Sequence, residues 1–261
     1  MRDIRTPVAA GEGALQNAIA VASGKGGVGK TWLSVTLCHA LARQGCRSLL
    51  FDGDLGLANV DIQLGLTPQR DLGGALAGQY PLANAVLPLE DFGFDVVAGR
   101  SGSGSLAGLP SDRLAALSAG LSGLAAGYDR VVLDLGAGIE QVVRQLASRC
   151  RTCLIVTTDE PTAMTDAYAF IKLSVRHNPK ADLRVVVNMA ASPAEGERTY
   201  ATLRKACEAF LKVSPPLVGI LRRDPKVKEA IRHQIPLLVR YPNTEAAADV
   251  EALARRLSKD P

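Results

Sequence analysis

No stretch of this 261-residue chain comes near the roughly 20 consecutive apolar residues that a membrane-spanning helix needs. The first residues, MRDIRTPVAAGEG, lack a basic segment followed by an apolar core. No secretory signal is therefore evident, and the protein is expected to stay in the cytoplasm. Cysteine is sparse: Cys38, Cys46, Cys150, Cys153 and Cys207 form an odd, scattered set. Such a set reads as reduced thiols and excludes a disulfide framework. With no second cysteine pair and only three histidines, all far apart, a metal or redox role for the C-x-x-C of Cys150 and Cys153 is not favoured. The pair leads into LIVTTDE and reads as thiols packed at the start of a buried strand.

What is present is an ordinary globular composition, 47% hydrophobic and 21% charged. The length suits one large α/β unit with a substantial core. Residues 1–16 read as a loose N-terminal arm and residues 17–261 as a single domain. The net charge of +4 is unevenly placed. Residues 1–200 carry 18 Lys and Arg against 19 Asp and Glu, whereas residues 201–261 carry 12 against 7. This basic quarter is either a solvated face or a contact for something acidic, such as nucleic acid or a membrane surface.

Short apolar runs recur at 18–23, 48–52, 95–99, 130–135, 153–158, 183–188 and 216–221, with a shorter candidate, PLLVR, at 236–240. Continuous rather than alternating apolar strands point to a sheet buried on both faces. Helical stretches fall between them at 30–43, 111–125, 139–148, 162–177, 195–211, 224–232 and 244–258. Right-handed crossovers then predict an α/β fold: a doubly wound, mostly parallel sheet of about eight strands with helices on both faces. The segment GRSGSGSLAGLPSD at 99–112 reads as a flexible loop.

The stretch ASGKGGVGKTWL at 22–33 satisfies two nucleotide signatures. Gly24, Gly26 and Gly29 fit the dinucleotide fingerprint; Gly24, Gly29, Lys30 and Thr31 fit the phosphate-binding P-loop. A dinucleotide loop needs no lysine there and would use Asp52 as its ribose acid. In a P-loop, Lys30 meets the β- and γ-phosphates and Thr31 ligates Mg²⁺. The strand RVVLDLGAG decides for the P-loop, because its Asp134 stands where a Walker B aspartate reaches the Mg²⁺ shell. Gly24, Lys25, Gly26, Gly27, Val28, Gly29, Lys30, Thr31 and Trp32 then line the nucleotide phosphates.

The second lysine sharpens the reading. KGGVGKT resembles the deviant Walker A motif of the MinD/ParA ATPases. LLFDGDLGLANVDIQLGL (49–66), EPTAMTDAYAFIKL (160–173), VVVNMAAS (185–192) and GILRRDPKVKEAIRHQIPL (219–237) resemble the flagellar number and placement group, FlhG/FleN (YlxH). The similarity spans about residues 17–257. It implies an ATP- and Mg²⁺-dependent switch that forms a homodimer, with Lys25 reaching the partner's nucleotide. Two ATP-loaded faces repel, and a cation from each side offsets that repulsion.

By the same resemblance Asp54 orients the attacking water. Asp52 acts through the Mg²⁺ shell or holds the switch loop, and Asp134 holds a Mg²⁺-bound water. The backbone N–H of Gly138 senses the γ-phosphate, and the residues from Gly219 to Asp224, including Arg222, close over the base. Asn188 either reads adenine or caps its strand. Three positions depart from the pattern. Trp32 replaces a small or hydroxylic residue and packs beside the base or ribose or fills core; Gly136 stands where a proline or alanine is usual, and Arg222 where a proline is common.

The last helix, TEAAADVEALARRLSK, has a narrow, alanine-rich apolar stripe and reads as packed on its own domain, so no strong membrane anchor is expected. The resemblance also implies a possible FlhF-like GTPase or flagellar regulator as partner, through an N-terminal helix poorly matched here by GALQN at 13–17. A ParA-like reading adds non-specific DNA, with Arg222, Arg223, Lys226, Lys228 and Arg232 as the basic patch. It is not favoured, because Asp224 and Glu229 interrupt the cluster.

Overall fold

The alternating runs assemble into one eight-stranded sheet between two helical layers. The structure, a computed structural model, describes residues 15–54, 56, 58–99 and 111–259. In chain order the strands are β1 (Leu15–Ser23), β2 (Ser48–Gly53), β3 (Val86–Leu89), β4 (Phe94–Val97), β5 (Arg130–Ala137), β6 (Cys150–Thr157), β7 (Leu183–Ala190) and β8 (Leu217–Arg222). The helices are α1 (Lys30–Arg43), α2 (Val60–Leu64), α3 (Leu72–Leu76), α4 (Ser111–Ala125), α5 (Gln141–Arg149), α6 (Pro161–His177), α7 (Pro193–Leu211), α8 (Pro225–Arg232), α9 (Leu237–Arg240) and α10 (Glu245–Ser258). The spatial order is β3-β4-β2-β5-β1-β6-β7-β8, and every pairing is parallel except the β3–β4 hairpin.

Strand alternation divides the core in two. Ala18, Ala20 and Ala22 of β1, with Leu133 of β5 and Val185 of β7, face α4, α5, α6 and α7. Ile19 and Val21, with Val132 and Val186, face α1, α8, α9 and α10. The central strands are sandwiched, which is why they read as unbroken apolar runs. Helix α1 lies deep, with Leu33, Leu37 and Leu41 fully buried. Against it packs α10, through Val250, Leu253 and Leu257. Burying each of these side chains stabilises by about 1.5–3 kcal/mol. The stripe on the last helix is thus occupied within the fold.

Three elements differ from expectation. Strand β1 starts at Leu15, so Leu15 and Gln16 belong to the sheet rather than to the arm. The Asn17 carboxamide fixes this start by donating to the carbonyls of Ala125 and Tyr128 at 2.8 and 2.7 Å. Gln16 is therefore in a strand, not in a partner-binding helix. The stretch PLLVR is not a strand. Leu237 and Leu238 are both buried, and one helical turn places adjacent residues on the same core where a strand would split them. The eighth strand is instead β3, whose Pro88 is tolerated because β3 is a sheet edge. The arm as far as residue 14 and most of the loop at 99–112 lie outside the described residues. Cys150 and Cys153 are buried free thiols; burial pushes Cys153 up to about 12, and raises Cys150 as well. No helix among the described residues is long and apolar enough to cross a membrane.

Candidate functional site

At the C-terminal edge of the sheet, β1 ends at Ser23 and the chain turns through Gly24–Gly29 into α1. Gly27 and Gly29 have φ of 80° and 89°, a left-handed backbone that disfavours side chains. A Cβ on Gly24 would collide with the Asp166 carbonyl, so glycine there lets α6 pack on the loop. The Ser23 hydroxyl donates to the Lys25 carbonyl at 2.6 Å. The loop opens onto the start of α1, where unpaired N–H groups and the helix dipole favour an anion. No acidic residue stands in that first turn.

Lys30 begins α1 and is only 7% exposed. Burial lowers its pKa, while the carboxylates of Asp134 and then Asp54 oppose the shift. Asp134 lies in the buried part of β5 and sits in register opposite Asp52 of β2. Burial pushes Asp134 up to about 6, against the Thr31 hydroxyl, Lys30 and Ser34, which favour its charged form. Ser34 donates to its Oδ1 at 2.9 Å. Asp52 is fully buried and is pushed up to about 8, by desolvation first and then by Asp134. Its carboxylate accepts from the N–H groups of Asp54 and Val60 at 3.2 and 3.3 Å, tying down the loop that follows β2. Asp54 leans on the end of β5: a Cβ on Gly136 would come within 3.4 Å of its carboxylate. That is ordinary van der Waals contact, so the strand end and the carboxylate are close neighbours.

Thr31, Asp52, Asp54, Asp134 and Lys30 thus converge, as the spacing predicts. The hydroxyl of Thr31 and the three carboxylates are hard oxygen donors that suit Mg²⁺, which is held by one or two carboxylates together with substrate phosphates. No cluster of three or more His, Cys, Asp or Glu among the described residues forms an all-protein cage. Thr31 and, through water, Asp134 and Asp52 would hold the ion, where it would neutralise phosphate charge.

Other expected residues are placed differently. Lys25 is paired within its own chain: its ammonium meets the Glu160 carboxylate and, at 2.7 Å, the Thr162 hydroxyl. The Gly138 N–H donates to the Ser23 carbonyl at 3.0 Å, so in this conformation it is engaged with β1 rather than open to a phosphate. Asn188 is buried in β7, and its carboxamide donates to the Val28 carbonyl of the phosphate loop at 2.8 Å. Trp32 is 6% exposed and fills the α1-side core; its indole nitrogen has no hydrogen-bond partner among the described residues. Arg222 turns to α10, where it pairs with Glu245 and, through Nε and Nη2, with Asp249 at 2.9 and 2.8 Å. Asp224 caps α8 by accepting from Lys226 N–H at 2.8 Å. In this conformation Arg222 thus serves α10, against which β8 ends, and Asp224 serves the start of α8. Of the basic patch, Lys226 is likewise tied to Glu229.

Sequence reasoning missed Ser34, Glu160 and Thr162. Ser34 follows Thr31 by three residues, one helical turn, a spacing that would have aimed both hydroxyls at one acid. Glu160 and Thr162 carried no such local signal, since they meet Lys25 from 135 residues away or more.

Residues 19–237 match the CobQ/CobB/MinD/ParA nucleotide binding domain. Antiactivator FleN of Pseudomonas aeruginosa is 40% identical over 243 residues, covering 93% of this chain and 86% of that protein. The flagellum site-determining protein YlxH of Helicobacter pylori is 31% identical over 237 residues, covering 90% and 80%. The septum site-determining protein MinD of Pyrococcus horikoshii, complexed with Mg-ADP, shares the fold at a TM-score of 0.74 and 21% identity, over 94% and 96% of the two chains. With the phosphate loop, its lysine and the strand-end acids in place, the chain belongs to the CobQ/CobB/MinD/ParA nucleotide-binding family, as a P-loop ATPase of its MinD/ParA branch.

Proposed function

We propose that this protein is a Mg²⁺-dependent ATPase whose ATP-bound form dimerises and whose cycle sets the number or placement of flagella. The observation that carries the proposal is the 40% identity to FleN across 93% of the chain, a span that contains every residue of the site. Phosphoryl transfer needs positioning and charge neutralisation more than covalent chemistry, and the buried cluster supplies both. Lys30 and the amides of Gly26–Thr31 hold the phosphates of the chain's own nucleotide. Asp54, leaning over Gly136, orients the attacking water. Lys25 leaves Glu160 and crosses to the partner's nucleotide, and the Gly138 N–H leaves Ser23 for the γ-phosphate. Both moves exchange a contact inside one chain for a contact to phosphate, which is the bistability a switch needs.

A DNA-tracking role is the weaker reading, because Arg222 and Lys226 are already neutralised by carboxylates. The switch would act on a protein partner, a flagellar regulator or an FlhF-like GTPase. The test is expression in Pseudomonas aeruginosa lacking FleN, with flagella per cell counted by electron microscopy. Restoration of the wild-type number, lost again with Lys30→Ala, is expected. A stably expressed protein that leaves the count unchanged sinks the flagellar assignment.

A further inference from the structure

The Asn188 carboxamide is tied at both ends. Its Nδ2 donates to the Val28 carbonyl at 2.8 Å and its Oδ1 accepts from Met189 N–H at 2.9 Å. The residue is 3% exposed. On the loop side, a Cβ on Gly29 would collide with the same Nδ2, so the turn into α1 is seated directly on this carboxamide. On the strand side, Met189 has φ of 58°, a left-handed backbone unusual for a residue with a side chain. The β7–β8 register also shifts between Val187 and Ala190. Strain of this kind persists where surrounding structure over-determines it. Here the bend accompanies a carboxamide aimed at the phosphate loop.

We infer that Asn188 is a positioning residue for phosphate binding, acting as a strut that holds the P-loop through Val28, beyond any contact it makes with a base. The inference rests on the nucleotide reading above. A loop whose amides point outward to phosphates must turn carbonyls inward, and a buried carbonyl needs a donor. Asn188 supplies that donor for Val28. Its second Nδ2 hydrogen and a second lone pair on Oδ1 remain, so holding the loop and reading a base are compatible. Aspartate at this position would set oxygen against oxygen.

A ligand with phosphates and no base separates the two roles. Affinities for ATP and for tripolyphosphate, each with Mg²⁺, are measured by calorimetry on the full chain. N188A and N188D are expected to weaken both ligands by a similar factor, about tenfold. In the ligand-free protein, they should speed hydrogen exchange across residues 26–33 while leaving α10 unchanged, which a general loss of stability would not do. M189G keeps the carboxamide and should stay within about twofold of wild type for both ligands. Loss of ATP affinity alone, with tripolyphosphate binding and loop exchange as in wild type, makes Asn188 a base reader only and overturns the strut. Loss in M189G as deep as in N188A also overturns it, because the backbone bend and not the carboxamide would then carry the effect. Should N188A fail to fold, N188D, similar in shape, decides on the same readouts. Wild-type protein that binds neither ligand fails the nucleotide reading itself, and the strut with it.

Discussion

The ammonium of Lys25 rests against the carboxylate of Glu160, at the start of α6, in the same chain as the loop it belongs to. The Lys25 side chain is 36% exposed and that of Glu160 61%. An exposed pair of this kind stabilises by no more than about 1 kcal/mol. On the proposed reading the pair is exchanged for a phosphate contact in the dimer, which would make Glu160 a brake on that exchange. Glu160→Gln should strengthen ATP-dependent dimerisation about two- to fivefold. Sedimentation velocity with ATP and Mg²⁺ reads this directly, and an unchanged dimer constant would show that the pair is not a brake.

Lys30→Ala and Lys25→Ala should differ in kind. Lys30 is buried at the helix start with two carboxylates beside it, so its loss leaves nothing to offset phosphate charge there, and ATP binding should disappear. Lys25→Ala should bind ATP within a few-fold of wild type but neither dimerise nor hydrolyse it. Calorimetry paired with sedimentation distinguishes them; equal loss of binding in both variants argues against a cross-subunit role for Lys25.

Asp54→Ala should hold ATP and stall. The variant keeps Lys30, Thr31 and Asp134, so binding energy survives while the water-positioning carboxylate is gone. Size-exclusion chromatography with ATP and Mg²⁺ is expected to show a persistent dimer. Near-normal turnover would move that role to Asp52.

Arg222→Ala tests whether the end of β8 serves the nucleotide or the fold. The guanidinium grips Asp249 with two nitrogens and also meets Glu245. Losing this forked contact should cost about 1 kcal/mol and lower Tm by roughly 2–4 °C. ATP affinity should stay within about twofold. A tenfold fall in affinity at unchanged Tm would restore the base-closing role.

His39 sets an acid limit to stability. It packs beside Phe92 and Phe94, and its Nδ1 has no partner among the described residues. Burial, then Arg43, lowers its pKa to about 4 from 6.5. Between those values the unfolded chain binds a proton that the folded imidazole refuses, so stability falls as pH drops through this window and is insensitive to His39 above it. Urea midpoints at pH 7.5 and 5 should fall less for His39→Leu than for wild type. Parallel losses would place the acid sensitivity elsewhere.

Much of this protein was legible in its residues. The spacing from Gly24 to Thr31, the unbroken apolar strands and the placement of Asp52, Asp54 and Asp134 at strand ends are local patterns. A parallel sheet necessarily gathers its strand ends at one edge, so those acids meet beneath the phosphate loop. Helices α1 and α4 take the bounds expected of the stretches between the strands, residues 30–43 and 111–125. Tertiary structure alone decided that Leu237 and Leu238 form a helical turn, that Lys25 lies on Glu160, that Asn188 supports Val28 and that Arg222 serves α10. Each of the three polar contacts joins residues at least 23 positions apart. Periodicity says which face a side chain takes; it does not say which of several polar groups on that face will be its partner. That choice is made by burial, because a desolvated carbonyl or a half-buried charge takes whatever complementary group the packed elements bring within reach.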